Sequence, residues 1–209
     1  MKVEWIEDLP IILSNLRSVG FSETFDKHFR QHGNWSGLSM GQVTEVWLCH
    51  ILSEGTHQLS HVEGWALGRE HVLRGLTRNK RLSSQDFNDD RLGCILDHMG
   101  EDDSWEKFEC SLNRDLIRVH ALPSKEGTVR LDATIAQSFR PVGGVFQYGY
   151  SKQRRADLPQ IKLMLSTLDP LGMPLTVQVV AGNKADDELY LPALAAARRN
   201  VGLSGFMYV

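Results

Sequence analysis

The chain has 209 residues, 42% hydrophobic and 23% charged, the composition of an ordinary globular protein with room for one large domain or two small ones. No window approaches the roughly 20 consecutive apolar residues of a membrane span, and the N-terminal MKVEWIEDLP has no apolar signal segment, so a cytoplasmic protein is expected. The net charge of -3 is uneven: residues 1–126 hold 14 Lys and Arg against 20 Asp and Glu, whereas residues 127–209 hold 9 against 6, which makes the C-terminal part the one suited to a polyanion.

Helices come first. Leu9, Ile12, Leu13, Leu16 and Val19 fall at helical spacing, with Pro10 tolerable in the first turn and Gly20 at the end. A short helix over 22–31 follows, with Ser22 as its cap, and Gly33 breaks it. Residues 40–52 put Val43, Val46, Trp47 and Ile51 on one face. Residues 61–77 do the same with Val62, Trp65, Leu73 and Leu76, and each apolar set reads as core. Between 69 and 81, Arg69, Arg74, Arg78, Lys80 and Arg81 face only Glu70. An arginine-rich helix, turn and helix can read DNA, and a solvated helix face with its loop has the same composition. The next helix is capped by Ser83 or Ser84, has Asp86 and Asp89 at its positive end, buries Leu92, Ile95 and Leu96, and ends near His98 and Gly100.

Asp97, Glu101, Asp102, Asp103, Glu106 and Glu109 form an acidic neighbourhood. Without a convergence of oxygens it reads as a solvated helix start in preference to a metal site. Trp105, Phe108, Leu112, Leu116 and Val119 give one more amphipathic helix. The expected organisation is a helical, candidate DNA-binding domain over 1–122, a linker over 123–127 that holds Pro123, Lys125 and Gly127, and a second domain over 128–209.

That second domain opens with TVRLDATI at 128–135. Val129, Leu131, Ala133 and Ile135 alternate with Arg130, Asp132 and Thr134, the period of a half-buried strand. Strand interiors are poor in Asp. Asp132 is therefore either a structural carboxylate paired with Arg130 or a neighbouring strand, or a functional one. Residues 139–159 form a long polar and aromatic connection in which Lys152, Arg154 and Arg155 lie close together beside Tyr148 and Tyr150, a candidate for contact with nucleic acid. IKLMLSTL at 161–168 and LTVQVV at 175–180 are two further strands about the turn Asp169-Pro170-Leu171-Gly172. Residues 191–200 are helical, with Asp186 and Asp187 as candidate caps, and Pro192 fits if the regular helix starts close to Tyr190. GFMYV at 205–209 begins a fourth strand.

Other chemistries find little support. Cys49, Cys94 and Cys110 are odd in number and lack a CxxC pair, which points to packed, reduced thiols. There is no HExxH, GxSxG, P-loop or dinucleotide-binding glycine motif, and His57 with His61 brackets Gln-Leu-Ser without the glutamate of a zinc protease. Val142-Gly143-Gly144-Val145 is too short to cradle a phosphate. A phosphotransferase with Asp132 as nucleophile would want a second nearby acid, and Ala133-Thr134 supplies none.

The order strand, strand, strand, helix, strand is that of the first part of an RNase H-like mixed sheet, so the expected fold class is α+β. The motifs LDAT at 131–134, YGYSKQRRADLPQIKLM at 148–164, LDPLGMPL at 168–175 and AGNKADDELYLPAL at 181–194 resemble DDE transposases of bacterial insertion sequences that carry a helical N-terminal domain. The resemblance spans residues 129–209 and weakens upstream. It implies DNA cleavage and strand transfer in transposition with Mg2+ or Mn2+ as cofactor, DNA as partner, no membrane, and a homodimer of the full-length enzyme as a candidate assembly. In that family carboxylates hold two cations about 4 Å apart, and the first D falls on Asp132, as metal ligand and not nucleophile. The family's second D follows the fourth strand and its E lies further on, both beyond position 209. The 209 residues are accordingly expected to be inactive alone and to bind Mg2+ weakly, and a non-catalytic DNA-binding or interaction fragment of a decayed insertion sequence is the alternative.

Overall fold

The computed structural model describes residues 3–122, 126–150, 155–201 and 205–209. The chain forms two compact units, Met1–Val119 and His120–Val209. No described helix is long and apolar enough to cross a membrane.

Unit one is helical: α1 (Leu9–Ser18), α2 (Phe21–His28), α3 (Met40–Glu54), α4 (Leu59–Leu67), α5 (Glu70–Thr77), α6 (Asp89–Met99) and α7 (Asp102–Val119), with a 3-10 turn at Ser84–Phe87. The central helix is α3. Ser39 Oγ accepts from the Gln42 amide (3.2 Å) while the Gln42 side chain accepts from the Ser39 amide (3.1 Å), a capping box that satisfies two amides left over at the helix start. Val43, Val46 and Cys49 of α3 are fully buried. Around them Phe25 stacks 4.5 Å from Phe29, and both lie 5.4 Å from Phe108 of α7, an aromatic knot that joins α2 to α7. Burial pushes the Cys49 thiol up to about 12, so it is a packing group and not a nucleophile.

The structure departs from the periodicity in several places. The single helix expected over 61–77 breaks at Gly68 into α4 and α5. Ser22 lies inside α2, whose cap position is taken by Gly20 at φ 63°. Leu96 is 43% exposed, because the buried stripe of α6 is narrower than its apolar sequence.

Unit two is the expected α+β arrangement. Strands β1 (Gly127–Gln137), β2 (Gln160–Leu168) and β3 (Met173–Ala181) precede α8 (Asp187–Val201) and β4 (Phe206–Tyr208). They make a mixed four-stranded sheet in the order β3-β2-β1-β4, with β1 antiparallel to β2 and parallel to β4. Helix α8 starts at Asp187, earlier than Pro192 suggests. The proline removes the bond to the Glu188 carbonyl, and Glu188 is exposed, where water can replace the lost donor.

Phe25 is fully buried between partners from α2 and α7. Phe25→Ala is expected to cost about 3–5 kcal/mol, read as a lower urea midpoint with an unchanged slope; a loss below about 1 kcal/mol would show that the knot does not hold the unit together.

Candidate active site and nucleic-acid interface

Strand β1 turns alternate residues to opposite sides. Ala133 meets Met164, Leu189 and Ala193 on the side that α8 covers, with Leu131 and Val180 packed against them. Asp132 lies on the other side, in a row with Leu165 and Val177, and Thr134 lies in the next row with Leu163 and Val179. Asp132 and Thr134 are exposed, as are Val177 and Val179, so this side is open to solvent.

Arg130 shares the side of Asp132 but does not pair with it. Its Nε lies 3.0 Å and its Nη2 2.8 Å from Asp169 Oδ2, and these hydrogen bonds, with the carboxylate's charge, hold the guanidinium pKa above its ordinary value. Among the described residues the Asp132 carboxylate makes no hydrogen bond or ion pair. Strand β4 runs alongside β1 toward it: Tyr208 stands beside Val129, and the Val209 carbonyl accepts from the Leu131 amide at 2.8 Å.

A two-cation site needs several carboxylate oxygens in one place. Among the described residues no group of three or more His, Cys, Asp or Glu side chains could hold a metal ion. The donor set around Asp132 therefore does not amount to a cation site. The acids Asp97, Glu101, Asp102 and Asp103 are exposed at the junction of α6 and α7.

The connection between β1 and β2 is anchored to the sheet. Gln147 and Gln160 exchange backbone hydrogen bonds, the Gly182 amide donates to the Val145 carbonyl at 3.1 Å, and Gln160 Nε2 donates to the carbonyls of Gly182 (2.9 Å) and Tyr150 (3.2 Å). A Cβ on Gly149 would stand 2.2 Å from the Gly182 oxygen, and one on Gly182 would stand 2.1 Å from the Gln160 oxygen. Such an approach admits only glycine. Tyr148 is 55% and Tyr150 85% exposed. Arg155 is exposed and forks onto Asp157, both bonds at 2.8 Å, which holds the Asp157 carboxyl below its ordinary value. Lys152 and Arg154 lie outside the described residues.

Lys162 escapes sequence reasoning. It points to the α8 side of β2, is 8% exposed, and donates to the Lys184 carbonyl and Asp186 Oδ1, each at 2.5 Å. A cavity of about 300 Å³ opens beside it, lined among others by Ala133, Tyr150, Asn183 and Asp186. The available signal is a cation at an alternate position of the otherwise apolar run IKLML. Asp186, expected as a helix cap, has its carboxylate on this lysine.

The arginine-rich segment of unit one is helix α5, a loop and a 3-10 turn, without a second α-helix in the expected place. Arg69 pairs with Glu7 (2.8 Å) and Glu54 (3.2 Å) and lies over Trp65. Arg74 bonds the Leu82 carbonyl (2.7 Å) and Glu70 (3.1 Å). Arg78, Lys80 and Arg81 remain exposed.

Residues 1–110 match the family described as Domain of unknown function (DUF4277), and the chain belongs to that family. No curated protein matches the chain, and no solved structure does.

The Lys162 side chain is 10% exposed and that of Asp186 47%, so the two partners do not contribute equally. Asp186→Ala leaves a buried ammonium with one carbonyl and is expected to cost about 1–3 kcal/mol, whereas Lys162→Met leaves a carboxylate that water can solvate and should cost less. Urea unfolding of both variants checks the order, and a larger loss for Lys162→Met would show that the ammonium is not the buried charge.

Proposed function

We propose that this chain is the N-terminal part of a DDE transposase of bacterial insertion sequences, in which Asp132 supplies the first acid of the triad and both units contact DNA. The observation that carries the proposal is the setting of Asp132. A carboxylate stands in mid-strand, where Asp is disfavoured, exposed and without a structural partner among the described residues, because Arg130 is held by Asp169. The strand order β3-β2-β1-β4, with β4 parallel to β1 and leading toward Asp132, supports it. So do the four sequence motifs and the excess of cations over 127–209.

Metal-dependent strand cleavage and joining, with Mg2+ or Mn2+, belongs to the enzyme the resemblance implies. One carboxylate cannot by itself hold two cations, so we take the 209 residues to bind DNA without cutting it. That lone carboxylate equally favours the second reading, a non-catalytic DNA-binding chain. The two separate in a longer chain that carries the acids expected after β4. It should cut duplex DNA in Mg2+, and Asp132→Ala should abolish cutting with duplex affinity unchanged; undiminished cutting by the variant would remove Asp132 from the chemistry.

The β1–β2 connection is the proposed DNA contact of unit two. Because Arg155 is already engaged by Asp157, neutralising Lys152, Arg154 and Arg155 together should lower the slope of log affinity against log salt by about two contacts' worth, roughly 0.9 each. Fluorescence anisotropy over a salt series reads this, and an unchanged slope would exclude the connection as a phosphate contact.

A further inference from the structure

We propose that a cleft in the helical unit, lined by Lys27, His28, Arg30, His98, Ser104 and Lys107, is a phosphate-binding site that takes a backbone phosphate of DNA. The cleft has a volume of about 420 Å³ and draws its lining from three helices and from the segments that follow α2 and α6. Lys27 and His28 come from the end of α2, Arg30 follows that helix, His98 stands near the end of α6, and Ser104 and Lys107 belong to the first turns of α7.

The convergence of cations is unusual for its surroundings. Residues 1–126 carry six more acids than bases, and Arg69, Arg74 and Arg91 of the same unit are paired with carboxylates. Lys27, Arg30 and Lys107 make no ion pair among the described residues. The one acid in the lining, Glu101, accepts from Ser104 Oγ at 3.3 Å. Helix ends attract cations at their C-termini, which accounts for Lys27 and His28 on α2 and for His98 on α6. That preference does not account for Lys107, which sits in the second turn of α7, away from the C-terminal end of the helix.

The histidines fit the same picture. The pKa of His28 is lowered, first by burial and then by the charges of Lys27 and Lys107, so both lysines act on a common point. His28 Nε2 is within 2.9 Å of Ser111 Oγ, and His98 Nδ1 is held by the Cys94 carbonyl at 2.8 Å. Three like charges gathered round a polar cleft repel one another, and a phosphate placed among them reverses the sign of each interaction. Sequence reasoning could not assemble the site, because its cations are scattered from position 27 to position 107.

The choice of DNA over free phosphate rests on the function proposed above, and the experiment separates the two. Imidazole NMR signals of the full chain are followed on titration with inorganic phosphate and with a short DNA duplex. Both ligands should move the His28 and His98 signals and raise the midpoint of the His28 titration. The triple variant Lys27→Ala, Arg30→Ala, Lys107→Ala, whose side chains are exposed, should lose these shifts while keeping its helical circular dichroism. Its salt slope for duplex binding should fall by roughly 0.9, the contribution of one phosphate contact. Duplex binding with both histidines unmoved would overturn the site and leave the proposed function standing. Shifts with phosphate but none with DNA would overturn DNA as the source, and no shift with either ligand would overturn the site itself.

Discussion

Arg130 and Asp169 close the corner where β1 meets the turn between β2 and β3, and the consequence of that ion pair is larger than its energy. Paired charges at a surface add little stability. Their effect here is positional. On the open side of β1, Arg130 is the cation closest along the strand to Asp132, and two bonds to Asp169 Oδ2, at 3.0 and 2.8 Å, direct it elsewhere. Asp132 thus keeps its oxygens available in mid-strand, between a covered sheet face behind and water in front. The acid is unemployed by the fold.

The two sides of the sheet divide the labour. Behind it, α8 packs Leu189 and Ala193 on Ala133 and Met164, and the buried Lys162 ties β2 to the segment that leads into α8 through Lys184 and Asp186. At its edge, the glycines at 149 and 182 let the β1–β2 connection lie against the strand ends, so Tyr148, Tyr150 and Arg155 are held out from a fixed base. Exposed aromatic rings on an anchored backbone leave few torsions to order when a ligand is met.

Much of this was legible in the sequence. Period-two alternation located β1 within two residues at each end, and the strand after each turn signal was in place because Val, Ile and Leu side chains can bury only one way on a pleat. Helix limits were less readable. Gly68 split a helix that apolar spacing had joined, and α8 ran through Pro192, whose missing donor falls opposite the exposed residue Glu188 near the helix start. The site was half legible: Asp132 stood out as an acid where strands avoid acids, but its freedom depended on Arg130 choosing Asp169, a partner 39 positions away. Lys162 was marked only as a cation within an apolar run, its partners Lys184 and Asp186 being set by tertiary proximity, and the cleft of Lys27, Arg30 and Lys107 had no local signal at all.

The most direct test of the account is the stability of Asp132→Ala in the 209-residue chain, measured by urea unfolding with circular dichroism. If the carboxylate supports nothing in the fold, the free energy of unfolding should stay within about 0.5 kcal/mol of the original, the range of surface substitutions away from structural features. A loss of about 2 kcal/mol or more would contradict the account, because only a carboxylate engaged in a buried network costs that much to remove.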